Sequence, residues 1–175
     1  MSKHFPHIFE PFTVKRTTFR HRVVMPPMGS NYATYSGEVS EEMKDYYGLR
    51  ARGGTALITV ENACIDFPLA TNGTKQLRID GKQFMPGLFE LTERIHKYGA
   101  LASIQLNHAG ASAYPERLGG LQSVSSSSVP SKEGNPAPRP LTKQEILNIV
   151  QKYADAAERA IGAGFDMVEI HGGHS

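Results

Sequence analysis

Two histidines stand three residues apart: His171 ends the apolar segment FDMVEIH, which predicts a strand, and His174 follows shortly after it. An imidazole ring can donate a hydrogen bond, move a proton or bind a metal ion. Histidines at this spacing are nevertheless more often ordinary strand-end residues than functional ones. No Cys, Asp or Glu cluster accompanies them at ligand spacing, so the sequence predicts no metal site. The pair alone leaves its chemical role open.

Polar side chains also stand near the carboxyl ends of other predicted strands. Asn62 comes near the end of TALITVENA, LASIQLNHAG contains Gln105 and Asn107, and FDMVEIH contains Glu169. Because side chains alternate along a strand, Val168 and Ile170 should face the helices. Gln105, Asn107 and Glu169 should face the opposite side of the sheet. In parallel α/β proteins this end of the sheet binds ligands. The sequence therefore predicts a site for a polar ligand there.

Three helices alternate with these strands. The segment VSEEMKDYYGLRARGG has Ser40 as a candidate N-cap, and MPGLFELTERIHKYGA predicts the second helix. The third helix begins with a capping box formed by Thr142 and Glu145 and ends before Gly164. Apolar residues at helical spacing predict the buried face of this third helix: Ile146, Ile149, Tyr153, Ala157 and Ile161.

The order of the elements predicts a parallel sheet covered by helices. HIFEPFTVKRTTFRHR predicts an extended lead-in or a small hairpin, and RVVMPPM predicts a buried first strand that Pro26 and Pro27 terminate. The sheet could be an open, doubly wound one or part of a (β/α)8 barrel. MPPMGS after the first strand lacks the glycine fingerprint G-x-G-x-x-G, which counts against a dinucleotide-binding fold.

Composition excludes several classes of protein. The 175 residues carry a net charge of +2 with no basic stripe, so no nucleic-acid partner is predicted. No apolar run approaches the roughly 20 residues of a membrane span, and the N-terminus does not resemble a signal peptide. The single cysteine, Cys64, has no partner for an internal disulfide, which fits a reducing compartment. We therefore expect a cytoplasmic protein.

Five segments in order give the chain a family resemblance: HRVVMPPM, YYGLRARGGTALITVE, IQLNHAG, RPLTKQEI and AAERAIGAGFDMVEIHGGHS. Together they resemble the N-terminal half of old yellow enzyme flavoproteins, in the branch of NADH:flavin oxidoreductases, 2-enoate reductases and 2,4-dienoyl-CoA reductases. The resemblance implies that residues 1–175 are a partial FMN-binding domain: half of a (β/α)8 TIM barrel with about four parallel strands and three helices. Exposed strand edges would then favour a homo-oligomer.

The resemblance also implies roles for seven residues. The histidine pair would hold the carbonyl oxygen of an α,β-unsaturated substrate and stabilise the charge that develops on it. The other five would contact FMN: Pro26, Pro27, Met28, Asn62 and Gln105. The implied reaction passes hydride from NAD(P)H through FMN to an activated C=C bond.

Three departures and two alternatives qualify this prediction. Gly29 stands where relatives often have Thr or Cys, and Cys64 is not placed for covalent flavin attachment. The family's proton-donating tyrosine and phosphate-binding loops would lie beyond residue 175, as would any iron–sulfur cluster or FAD. The alternatives are a catalytically silent half-barrel that folds or self-associates without flavin, and a different TIM-barrel enzyme such as a metal- or phosphate-dependent lyase.

Overall fold

A four-stranded parallel sheet forms the centre of the chain in the computed structural model, which describes residues 4–173. Its strands are β3 (Val24–Met25), β4 (Leu57–Cys64), β5 (Leu101–Asn107) and β8 (Met167–Ile170), and they pair in that order. Three helices lie between them in the sequence: α1 (Glu41–Arg52), α2 (Met85–His96) and α3 (Lys143–Gly162). Every pairing in this sheet is parallel, so all four carboxyl ends meet at one edge.

Two small strand pairs flank this sheet. β1 (Phe12–Val14) and β2 (Thr17–Phe19) form the predicted N-terminal hairpin, in which the rings of Phe12 and Phe19 stack with centroids 4.6 Å apart. β6 (Val124–Ser125) and β7 (Arg139–Pro140) pair in parallel within the long segment after β5. The sequence gives no sign of these strands, because strands of two residues leave no periodic pattern.

The predicted helix boundaries are confirmed. Ser40 Oγ accepts a hydrogen bond of 3.0 Å from the Met43 backbone N–H and caps α1. Thr142 and Glu145 form the reciprocal capping box of α3. Gly164 follows α3 with a φ of +89°, and a Cβ there would meet Thr92 Oγ1 at 2.8 Å. Glycine is therefore required at this turn by both conformation and space.

The core lies between the sheet and the helices. α1 packs on β4, α2 on β5, and α3 on β5 and β8, while successive helices also contact one another. Apolar residues of the two central strands, β4 and β5, are fully buried, as are the matching residues of α2: Ile58, Val60, Ile104, Leu106, Leu88, Leu91 and Ile95. Burial of this size fixes which face of each strand is left for polar side chains.

Two predictions of burial are wrong. Val24, predicted to lie in a buried first strand, is 47% exposed because β3 pairs only with β4. On α3, Ile146 and Ile161 are exposed, and the buried residues are Ala156 and Ala160. No described element covers the outer side of α3, so only its sheet-facing stripe is buried.

Ile170 is the last residue of β8 and was predicted to face a covering helix. It is instead 58% exposed. The same part of the chain contains no helix that is both long enough and apolar enough to span a membrane.

Candidate functional site at the strand ends

A depression of about 410 Å³ opens at the carboxyl ends of the parallel strands. Its lining comes from every strand of the sheet or from the loop that follows it, and includes Pro27, Glu61, Asn62, Lys75, Gln105 and His171. This volume falls in the range of ligand-binding pockets, about 300–1,000 Å³. The location is the one at which parallel α/β sheets bind ligands.

Gln105 and Glu169 connect two neighbouring strands at the floor of this region. They are register partners across the β5–β8 pair, and the Gln105 amide Nε2 donates a 2.6 Å hydrogen bond to Glu169 Oε1. Gln105 is 7% exposed. Because one amide hydrogen is bonded to Glu169, the side chain can offer a ligand its carbonyl oxygen and its second amide hydrogen. The predicted inward orientation of both side chains is thus explained by strand alternation.

Glu61 is a buried acid in the same lining. Its Oε2 accepts from the Ser30 backbone N–H at 3.0 Å, from the Ser30 hydroxyl, and from the Tyr47 hydroxyl at 3.1 Å. Tyr47 also accepts a 2.9 Å hydrogen bond from the Glu61 backbone N–H. Burial, together with the negative charge of Glu61, raises the pKa of Tyr47, so the phenol remains a protonated donor. This network ties the loop after β3 to the end of β4.

The loop between β4 and α2 forms another wall through amide side chains. Gln76 Nε2 donates to the Asn62 carbonyl oxygen at 3.1 Å, and Gln76 Oε1 accepts from the Asn72 backbone N–H at 2.8 Å. Asn62 Nδ2 donates to Asn72 Oδ1 at 2.9 Å. Asn31 Oδ1 accepts from the Lys75 backbone N–H at 2.9 Å and holds the lysine at the rim. The wall is therefore ordered by hydrogen bonds rather than by apolar packing.

His171 follows β8, and its backbone N–H donates to the Leu106 carbonyl oxygen at 3.0 Å. Its side chain lines both the main depression and an adjoining cavity of about 270 Å³ that also contains His108. Burial lowers the pKa of His108, so that ring is held neutral. The Gly110 N–H donates to His108 Nδ1 at 3.1 Å, which places the ring proton on Nε2.

Four of the seven predicted site residues line one depression: Pro27, Asn62, Gln105 and His171. Pro26 and Met28 are exposed on the same loop and lie outside this lining. His174 falls outside the described residues. Gly29 also lines the depression, and a Cβ there would stand 3.6 Å from Asn62 Oδ1, an ordinary contact.

Sequence reasoning gave no role to Glu61, Asn72, Lys75 or Gln76, although all four line the depression. The last three lie in the polar segment between β4, which ends at Cys64, and α2, which begins at Met85. A loop of that length inside a compact domain is itself a signal of function. Glu61 gave no comparable signal, because an acid at a strand end is also compatible with a surface position.

The sequence matches the NADH:flavin oxidoreductase / NADH oxidase family over residues 7–175. It is 46% identical over 171 residues to an NADH oxidase of Thermoanaerobacter brockii, covering 98% of this chain and 26% of that protein. It is 35% identical over 172 residues to an NADH:fumarate oxidoreductase of Klebsiella pneumoniae (strain 342), covering 96% of this chain and 18% of that protein.

The fold is similar to that of the old yellow enzyme of Trypanosoma cruzi, with a TM-score of 0.87 and 27% sequence identity. That match covers 97% of this chain and 52% of the solved structure. The chain thus spans about half of this barrel and 18–26% of the two curated relatives. The predicted fold class, half of a TIM barrel, is confirmed.

The resemblance drawn from the sequence is confirmed as well. The match covers the five segments that carried it, from HRVVMPPM to the C-terminal AAERAIGAGFDMVEIHGGHS. The family's name contains the flavin and the nicotinamide reductant that the resemblance implied. The chain belongs to the NADH:flavin oxidoreductase / NADH oxidase family.

Proposed function

We propose that residues 1–175 form one wall of an FMN site in an oxidoreductase of the old yellow enzyme type. The enzyme takes hydride from NAD(P)H and transfers it to the C=C bond of a small α,β-unsaturated carbonyl compound. The observation that carries this proposal is the convergence of Pro27, Asn62, Gln105 and His171 on one depression at the strand ends.

The residues present fit a flavin ring. The ring has one polar edge, which needs both donors and acceptors, and a broad apolar face. Gln105 and Asn62 supply amide donors and acceptors, and the chain around Pro27 and Gly29 gives a surface without bulky polar groups. When bound, FMN supplies the two-electron hydride chemistry.

This chain's own residues have three tasks in the proposal. Gln105, held by Glu169, orients the ring edge, and Asn62 fixes the same edge through its main chain, which Gln76 holds from the other side. His171 directs an imidazole N–H at the substrate carbonyl oxygen, and His174 is proposed as the second donor. A donor placed where negative charge develops lowers the barrier without reorganising at the moment of reaction.

The names of relatives support the reaction class. Fumarate contains an alkene conjugated to carboxyl groups, which is the kind of bond the proposal requires. The name of that relative supports the type of reaction only, because this chain covers 18% of that protein. The position of the alkene site has to be determined by experiment.

The proposal is tested in two stages. FMN is titrated into the purified chain and followed by flavin fluorescence, with riboflavin as the control that lacks the phosphate. We expect saturable quenching by both, because the wall described here contacts the ring. The holoenzyme is then assayed for NADH oxidation without oxygen, with and without an enone. Oxidation that does not depend on the enone would overturn the reaction assignment.

A second candidate is a catalytically silent half-barrel that associates with another chain. It is favoured by the exposed apolar residues on the outer side of α3 and at the end of β8. A well-folded chain that self-associates and leaves FMN fluorescence unchanged would support this candidate over the first.

A further inference from the structure

We propose that the buried carboxylate of Glu61 holds the reduction potential of a flavin in this depression at a low value. The inference rests on the proposed function, because it requires a flavin in the depression. It concerns a residue to which the proposed reaction gives no task.

Glu61 is a nearly fully buried acid, with 1% of its surface exposed. All of the hydrogen bonds to its carboxylate reach Oε2, from Ser30 and Tyr47. Oε1 receives none from any described residue. Glu61 is nevertheless part of the lining of the depression, so its carboxylate lies close to the space that a ligand would occupy.

The donors around Glu61 are all neutral. A backbone N–H, a serine hydroxyl and a tyrosine hydroxyl donate hydrogen bonds but carry no positive charge. No ion pair among residues 4–173 includes Glu61. By contrast, Asp80 and Asp66, two other acids of low exposure, are paired with Arg78 and Lys152 respectively. Glu61 therefore lines the depression without an ion-pair partner among residues 4–173.

A side chain that served only to hold Ser30 and Tyr47 in place would not need a negative charge. The amide oxygen of glutamine could accept hydrogen bonds from Ser30 and Tyr47, and it would avoid the several kcal/mol that desolvation of a carboxylate costs. Retaining an acid at this position is therefore unfavourable for folding alone. An electrostatic effect of this carboxylate on a ligand in the depression accounts for the presence of an acid at this position.

The expected effect follows from the charge balance of flavin reduction. A hydride from NAD(P)H carries two electrons and one proton, so the donor becomes NAD(P)⁺ and the flavin ring gains one negative charge. A fixed carboxylate beside the ring repels that charge more strongly in a partly desolvated site than in water. The reduced form is then bound less tightly relative to the oxidised form, and the bound flavin is a stronger hydride donor.

The test is the midpoint potential of FMN in the holoenzyme after Glu61→Gln, with Glu93→Gln on the exposed side of α2 as the control. We expect Glu61→Gln to move the potential to a more positive value, by an amount equal to about tenfold tighter relative binding of reduced FMN, or about 30 mV for two electrons. Glu93→Gln should leave it unchanged. A merely structural role for Glu61 predicts no systematic shift in either variant.

A second variant is expected to shift the midpoint potential in the opposite direction. Ser30→Ala removes one hydroxyl donor from Oε2 while keeping the backbone N–H. The negative charge of the carboxylate is then offset by one hydrogen-bond dipole fewer. We expect a shift to a more negative potential, and this measurement decides the question if Glu61→Gln does not fold. An unchanged potential in the folded variant would overturn the inference. A wild-type enzyme that retains no flavin would instead overturn the proposed function.

Discussion

At the scale of single residues, the site depends on Gln105 being held in one orientation. Its amide nitrogen is committed to Glu169, which turns the amide oxygen and the second amide hydrogen to fixed directions. The pairing arises from strand register, since the two residues stand opposite each other on β5 and β8. The orientation of the Gln105 side chain is therefore determined by the register of the sheet.

We predict that Gln105→Leu weakens FMN binding about tenfold, because one hydrogen bond to the flavin edge contributes about 1.4 kcal/mol. The dissociation constant is measured by fluorescence titration, and far-UV circular dichroism checks the fold. Gln144→Leu, on the exposed first turn of α3, is the matched control and should bind FMN normally. Equal affinity of the two variants would remove Gln105 from the flavin site.

We predict that His171→Ala lowers kcat for alkene reduction by about 100-fold, as for loss of one donor to a developing oxyanion. FMN binding and the rate of flavin reduction by NADH should change little, because the proposed contacts with the ring involve other residues. Rapid-mixing kinetics separates the two half-reactions. The control is His7→Ala, at an exposed histidine near the N-terminus. Equal losses in both half-reactions would contradict the assigned role.

At the scale of elements, the first turn of α3 is stabilised by a charged cap. Arg139 donates to Glu145 at 2.7 and 3.1 Å, and the Thr142 backbone N–H donates to the same carboxylate at 2.8 Å. These hydrogen bonds, with Arg139 the largest cause, lower the pKa of Glu145 from 4.5 to about 2. β7, which contains Arg139, is thereby joined to the start of α3.

This pKa predicts how the cap responds to acid. A carboxyl group with a depressed pKa stabilises the folded state fully above its unfolded value and loses that effect as the pH falls through the folded value. The melting temperature of Glu145→Gln should therefore lie below that of the wild type at pH 7. The difference should shrink between pH 4.5 and 2.

The control for this prediction is Glu158→Gln, at an exposed glutamate of the same helix. Its difference from the wild type should stay small across the same pH range, which is measured by thermal circular dichroism. A difference for Glu145→Gln that persists at pH 2 would show that shape rather than charge stabilises the cap.

The sequence predicted these elements well where the signal is local. The capping box at Thr142 and Glu145 and the glycine after α3 lie within a few residues of the feature they specify. The exposure of Val24 and Ile161 depends instead on which element covers them, and periodicity cannot reveal a missing neighbour.

The same distinction applies to the site. Gln105 and His171 were predicted because strand alternation and the family resemblance both pointed to them. Gln76 was missed, because its role depends on a contact with the Asn62 carbonyl oxygen fourteen residues away. Glu61 was given no role, because its hydrogen bond with Tyr47 joins it to another element and leaves no local pattern in the sequence.

At the scale of the whole molecule, the sheet has two open edges, at β3 and β8. Apolar side chains are exposed beside the second edge, on the outer side of α3 and at Ile170. Unpaired strand edges and large apolar patches favour association with another chain. We therefore predict that residues 1–175 alone self-associate in solution.

Size-exclusion chromatography with light scattering tests this prediction over a range of protein concentrations. Leu147→Glu and Val150→Glu together place charge on the exposed side of α3 and should shift the chain toward the monomer. Gln151→Glu, a polar position in the same helix, is the control. A concentration-independent monomer of the wild-type chain would contradict the prediction.

The strand order of the sheet, β3-β4-β5-β8, is the order in which these strands occur along the chain. Each new strand of this sheet can therefore pair with a neighbour that has already left the ribosome. Bacterial and eukaryotic ribosomes add about 5–20 residues per second, which is slow compared with strand pairing and helix formation. We expect the layered core to be assembled stepwise during synthesis, with the growing edge always at the most recently translated strand.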